Sequence, residues 1–200
     1  LTYDDVLLVP KYSDIESRKE VDIGNNMDEH IRLSLPIISS PMDTVTESEM
    51  AHEMANHGGL GVIHRYNSIS EQSGLVRELY DSISSSGEGV SNIAFAVGIT
   101  GDYLERAYGG WENGANIVCI DVAHGHHLMM KMAIEKIKVE FGPKLHIMAG
   151  NVATLEGFND LADWGADSIR CNIGGGSICS TRIQTGHGIP GLQTIFDCAV

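Results

Sequence analysis

The chain has 200 residues, 42% hydrophobic and 20% charged, enough apolar mass to bury a core. Its 27 acidic and 13 basic side chains give a formal net charge of −14, which argues against nucleic-acid backbones and anionic membranes as partners. No apolar run nears the ~20 residues of a membrane span, LTYDDVLLVPKY has no charged-then-apolar signal pattern, and four cysteines without a C-x-x-C pair read as reduced thiols in a cytoplasm.

Short β-rich runs recur along the chain, each followed by a helix-like segment. LPIIS near 35 precedes TESEMAHEMANHG, where Thr46-x-x-Glu49 has the form of a capping box. GLGVI near 59 precedes a helix that opens on Ser68-x-x-Glu71 and carries Leu75, Leu79 and Ile83 at helical spacing. NIAFAVG near 92 precedes Leu104, Ala107, Tyr108 and Trp111. After NIVCIDVA near 116, the residues Met130, Ile134, Ile137 and Phe141 form an amphipathic stripe. LHIMAG near 145 leads to a helix expected to bury Phe158, Leu161 and Ala162, and DSIRCNIG near 167 leads through a glycine loop to LQTIFDCAV.

Strands alternating with helices predict parallel βαβ units, and continuous apolar strands predict a sheet covered on both faces. No G-x-G-x-x-G follows the first strand, which counts against a dinucleotide-binding doubly wound sheet. Polar and glycine residues instead follow every strand: Ser40 and Asp43, His64 and Arg65, Gly98 and Gly101, Asp121 and His124, Asn151, then the glycine loop. Chemistry at one end of six successive strands predicts a (β/α)8 TIM barrel with its site on the C-terminal face. Residues 1–200 are read as one catalytic barrel domain holding about six of the eight units, since a closed barrel needs about 250 residues. A start at Leu1 rather than Met fits numbering that begins inside a longer or processed protein.

The segment GGGSICSTR, residues 174–182, is a tight turn or a functional loop; a cysteine, hydroxyls and an arginine within a few residues favour the second. Thiolate is the reactive form of cysteine, and Arg182 supplies an electropositive setting for Cys179. Cys119, Cys171 and Cys198 lie in apolar patterns and are expected to be buried packing residues. His126 and His127 are adjacent and diverge on any regular backbone, without further ligands at helical spacing, so zinc is not expected. Asp121 either accepts hydrogen bonds from a ribose or amide or caps a helix. Asn151 orients a ligand or fixes its own loop, and His64–Arg65 meets a phosphate or faces water.

Eight motifs in order carry a resemblance across essentially the whole chain: LTYDDVLLVP, SRKEVD, SSPMDTVTE, GGLGVIHR, AVGITGDYLERA, DVAHGH, MAGNVAT and GGGSICSTR, followed by TGHGIP. In these the chain resembles the IMP dehydrogenase / GMP reductase family, a (β/α)8 barrel. The resemblance implies that Cys179 is a nucleophile. In the dehydrogenase its thiolate adds to C2 of IMP, hydride passes to NAD, and hydrolysis of the thioimidate releases XMP. In the reductase the same cysteine acts on GMP, ammonia is lost, and hydride comes from NADPH to give IMP. It further implies that Thr181 takes part in the chemistry and that Ser40, Met42, Asn151, Arg170, Ser177 and Arg182 bind substrate, Ser177 through the phosphate. Asp121, Val122, Ala123, Asn172, Ile173 and Gly174 match the dinucleotide region, and the backbone carbonyls of Gly174, Gly176 and Cys179 match a potassium (K+) site. A homotetramer is also implied.

Against the family pattern, Asn172 stands where glycine is general and Gly175 where proline or serine is. Only DSISSSGEGVS stands where the dehydrogenase carries a CBS regulatory module, so that module is expected to be absent. The last two strands, a second phosphate segment and the mobile flap that activates water are also unmatched. The motifs favour IMP dehydrogenase, with GMP reductase as the alternative and a non-catalytic, nucleotide-binding or assembly fragment as a third reading.

Overall fold

The computed structural model describes residues 1–85 and 92–199. A short antiparallel hairpin, β1 (Asn25–Asn26) with β2 (Arg32–Leu33), precedes the first parallel strand, β3 (Ile38–Ser39). The chain then alternates α1 (Ser48–Asn56), β4 (Leu60–Ile63), α2 (Ile69–Ser85), β5 (Ala94–Val97), α3 (Tyr103–Glu112), β6 (Ile117–Asp121), α4 (Leu128–Phe141), β7 (His146–Val152), α5 (Leu155–Asp163) and β8 (Ser168–Cys171). It continues through α6 (Thr181–Thr185) and α7 (Gly191–Cys198). The first residues of the expected linker DSISSSGEGVS extend α2, and residues 86–91 lie outside the described residues.

The six parallel strands pair in chain order, β3-β4-β5-β6-β7-β8, in one curled sheet. Sequential order leaves no point where the winding reverses, which is where a doubly wound sheet would place its ligand. The α/β reading therefore stands, in the singly wound form expected of part of a barrel.

Both faces of the sheet are apolar, and residues divide between them with the two-residue period of a strand. Ile63, Phe95, Val97, Val118, Ile120, Ile147 and Ala149 pack outward against helix residues that include Leu79, Ile83, Met130, Ile134, Ile137 and Leu161. Leu60, Val62, Ala94, Ala96, Ile117, Cys119 and Met148 form a second, inner cluster with Ile31 and Leu33 of the hairpin region. Each buried aliphatic side chain contributes about 1.5–3 kcal/mol. A one-residue slip would exchange the two sets and misplace them all, so the pattern holds the register. Gly61 brings β4 onto α1, since a Cβ there would lie 2.4 Å from Ala51 Cα.

The hairpin closes the N-terminal ends of the strands. Asp28 accepts from the backbone N–H groups of His30 and Ile31, each at 2.7 Å, and pairs with His146 Nδ1 at 2.5 Å. His146 Nε2 bonds Ser168 Oγ at 2.8 Å, so hairpin, β7 and β8 are tied together at that end. The opposite end is left for chemistry.

Three local expectations are corrected. Thr46 does not cap α1; its buried hydroxyl donates to Ser40 O at 2.7 Å and bonds Ser39 Oγ at 2.8 Å, fixing the loop after β3 instead. The second box does form, with Ser68 N–H donating to Glu71 Oε2 at 2.8 Å and Glu71 N–H to Ser68 Oγ at 3.2 Å. Ala162 is exposed, because α5 turns Gly157, Phe158 and Leu161 inward instead. Cys171 and Cys198 are half-buried and lie near each other, whereas Cys119 is fully buried as expected.

Candidate active site

A cavity of about 700 Å3 opens at the C-terminal ends of the strands. Ser40 and Met42 enter from the loop after β3, Asp121, Val122 and Ala123 from β6, Asn151 from β7, and Arg170 from β8. Asn172, Ile173, Gly174, Gly176, Cys179 and Thr181 complete it from the loop after β8. Side chains spread over 140 residues of sequence are thus brought together by the pairing of adjacent strands. Ser177 and Arg182 lie on the far side of the glycine loop, where they line a neighbouring cavity of about 490 Å3 with Tyr3 and Asp4. Asp43, Gly101 and His124 line neither cavity.

Cys179 sits where the loop turns into α6, its backbone N–H donating to Gly176 O at 3.1 Å. The hydroxyl and then the backbone N–H of Thr181 bond the sulfur, and the charge of Arg182 adds to them. Together they hold the thiol below the ordinary cysteine range. Burial acts the other way on its neighbours. It pushes the Cys119 thiol up to about 11, and burial with Cys198 pushes Cys171 up to about 12. Iodoacetamide near neutral pH is therefore expected to label Cys179 before Cys119 or Cys171. The rate should rise with pH to an inflection below 9.0, the reference value for cysteine, that moves upward in Thr181→Val. Peptide mapping across a pH series checks this, and equal labelling of the three thiols would contradict it.

Deeper in the cavity, Arg170 Nη1 donates to the carboxylate of Asp121 and approaches Cys119 Sγ at 3.5 Å. Asp121 is therefore an ion-pair partner and caps no helix. At Asn151 the β7–β8 register shifts, with Gly150 opposite Arg170 and Val152 opposite Cys171. Such a bulge re-aims a side chain, and Asn151 Nδ2 donates to Asn172 O at 3.0 Å, joining β7 to the glycine loop. Asn151 thus does fix a loop, while also lining the cavity.

Among the remaining candidates, His64 neither meets the cavity nor faces water: it is buried, bonding Glu47 Oε1 at 3.2 Å and accepting from Tyr66 N–H at 3.1 Å. Arg65, beside it, does line the cavity. Its signal in the sequence was a basic residue just past a strand end. His126 and His127 diverge, the first onto Asp160 at 2.7 Å and the second capping α4 through Met129 N–H at 3.1 Å.

The donor sets fit the groups expected of them in different degrees. On the dinucleotide side, the buried Oδ1 of Asn172 has no partner among the described residues and Asp121 offers carboxylate oxygen, acceptors suited to amide and ribose donors. For a cation, Arg182 Nη1 lies 2.5 Å from Gly174 O and 2.7 Å from Gly176 O, so two carbonyls converge on one positive centre. A monovalent ion fits that convergence only in place of the guanidinium.

All 200 residues match the family described as the IMP dehydrogenase / GMP reductase domain. The chain belongs to this family. It is 28% identical to inosine-5'-monophosphate dehydrogenase of Nitrosopumilus maritimus, all of the chain aligning with 66% of that protein. It is 33% identical to the enzyme of the same name from Cryptosporidium parvum, all of it aligning with 58% of that protein, and 27% identical to GMP reductase of Leishmania major, with 66% covered. The chain thus spans about three-fifths to two-thirds of the length of these relatives. Among the described residues no helix is long and apolar enough to cross a membrane.

Proposed function

We propose that the intact protein is an NAD-dependent dehydrogenase that converts IMP, NAD and water into XMP, NADH and a proton. The observation that carries this reading is the Cys179 thiol, on the wall of a cavity of about 700 Å3 and shifted toward the thiolate by Thr181. Its thiolate adds to C2 of the purine, oxidation at that carbon leaves a thioimidate, and water cleaves the sulfur–carbon bond to return the thiol. NAD, when bound, accepts the hydride. Ser40 and Met42 line the same cavity as Cys179 and hold the base, while Arg170 and Asn151 keep Asp121 and the glycine loop in place. Asp121, Val122, Ala123, Asn172, Ile173 and Gly174 receive the dinucleotide. On the outer side of the loop, Ser177 and Arg182 reach the substrate phosphate, and eight βα units complete the barrel in a cytoplasmic homotetramer. The alignment with the Nitrosopumilus protein runs over 316 positions and that with the Cryptosporidium protein over 235, in keeping with a regulatory insertion that this chain lacks.

GMP reductase is the second reading, supported by relatives of that name aligned over the full chain. One assay of the intact protein separates the two. Absorbance of the reduced cofactor rises with IMP and NAD if the dehydrogenase reading holds, and falls with GMP and NADPH if the reductase reading does. Silence in both arms, with nucleotide still bound, leaves the non-catalytic reading. Potassium is proposed to support the loop from the carbonyls of Gly174, Gly176 and Cys179, in competition with Arg182. Arg182→Met is then expected to reach half-maximal potassium effect at a lower concentration, in turnover and in the rate of Cys179 alkylation. Unchanged midpoints would reject the competition.

A further inference from the structure

The charged groups of the cavity divide into those already paired and one that is not. Arg170 is neutralised by the carboxylate of Asp121. Arg65 has no carboxylate partner among the described residues: its Nη2 donates to the backbone carbonyl of Asp121 at a long 3.3 Å, and its Nε is buried with no partner at all. Nε and Nη2 form the edge through which a guanidinium grips an oxyanion with two parallel hydrogen bonds. Here Nε is closed off from solvent, so a ligand in the cavity is met by the terminal nitrogens of the guanidinium.

The rest of the side chain is held in place. Its Cζ lies 5.4 Å from the centre of the Tyr66 ring, and Gly98 leaves room beside it, since a Cβ there would come within 3.4 Å of Nη1. The neighbouring His64 is turned into the protein and engaged with Glu47. In a chain of net charge −14, a positioned and unneutralised guanidinium on a cavity wall is a local attractor for anions.

We infer that Arg65 binds a phosphate group of a nucleotide held in this cavity. The inference rests on the purine-nucleotide reading above and adds to it a residue from β4's end. A mononucleotide substrate and a dinucleotide both present phosphate oxygens, and the test separates them.

The intact protein, with Arg65→Met and Arg65→Lys, is titrated calorimetrically with IMP, inosine, NAD and nicotinamide riboside. Loss of a charge-assisted pair is expected to weaken the phosphate-bearing ligand by about tenfold or more in Arg65→Met, with its phosphate-free counterpart unchanged. A collapsed IMP-to-inosine ratio identifies the substrate phosphate, and a collapsed NAD-to-nicotinamide riboside ratio identifies the dinucleotide. Arg65→Lys keeps the charge without the fork and should lose less. If Arg65→Met shows no cooperative melt, the ratios in Arg65→Lys decide. Unchanged ratios in a folded variant overturn the role of Arg65 alone, whereas wild-type protein that binds none of the four ligands overturns the nucleotide reading itself.

Discussion

Cys179→Ala in the intact protein is expected to lower turnover of IMP by about ten-thousand-fold or more, with nucleotide affinity little changed. No neighbouring thiol can take over. Cys119 is buried with its thiol pushed up to about 11, and Cys171 is held near 12 beside Cys198, so both stay protonated near neutral pH. Thr181→Val should fall between wild type and Cys179→Ala, because it removes the first of the bonds that favour the thiolate while leaving the sulfur in place. A reactive analogue gives a readout independent of turnover. With 6-chloro-IMP the purine should become bonded to sulfur with loss of chloride, and the modified peptide should be the one containing Cys179. Residual turnover within tenfold of wild type, or an adduct mapped elsewhere, would sink the assignment.

The second large effect concerns stability of the loop that carries the nucleophile. Asn172 has φ of +126°, a region that side chains other than glycine occupy at about 1–3 kcal/mol of strain. A Cβ at Gly175 would lie 2.4 Å from Asn172 Nδ2 and 2.6 Å from its Oδ1, so the Asn172 amide occupies the space a side chain at 175 would need. The two departures from the family pattern therefore compensate each other: a side chain gained at 172 is matched by one lost at 175. Gly175→Ala alone is expected to destabilise by about 1–3 kcal/mol through overpacking. In the Asn172→Gly background the same change should be within about 0.5 kcal/mol of neutral. Denaturant titration of the four proteins measures the coupling, and strict additivity would show that the two positions are independent.

Much of the architecture is legible from local pattern. β4 to β7 are buried on both faces and so appear as continuous apolar runs, and α4 shows its stripe because Met130, Ile134, Ile137 and Phe141 all reach the core. Thr46 shows where such reading stops. Its spacing to Glu49 has the form of a cap, yet its hydroxyl donates to the carbonyl of Ser40, and only the path of the loop after β3 makes that so. His64 and Arg65 are adjacent and both polar, but one turns into the protein against Glu47 and the other lines the cavity, a division set by the packing of α1 beside β4.

The sequence by itself determined the alternating βα order, the end of the sheet where polar groups gather, and the glycine loop with its single cysteine, because these rest on periodicity and on residue chemistry close along the chain. Only the tertiary structure decided the pairings. Arg170 meets Asp121 across 49 positions, and Asn151 meets the loop through a bulge. Asn172 meets Gly175 because the backbone bends there, and Arg65 is left without a carboxylate among the described residues. Each depends on which strands lie side by side and how far the chain turns between them, distances in space that spacing along a sequence does not encode.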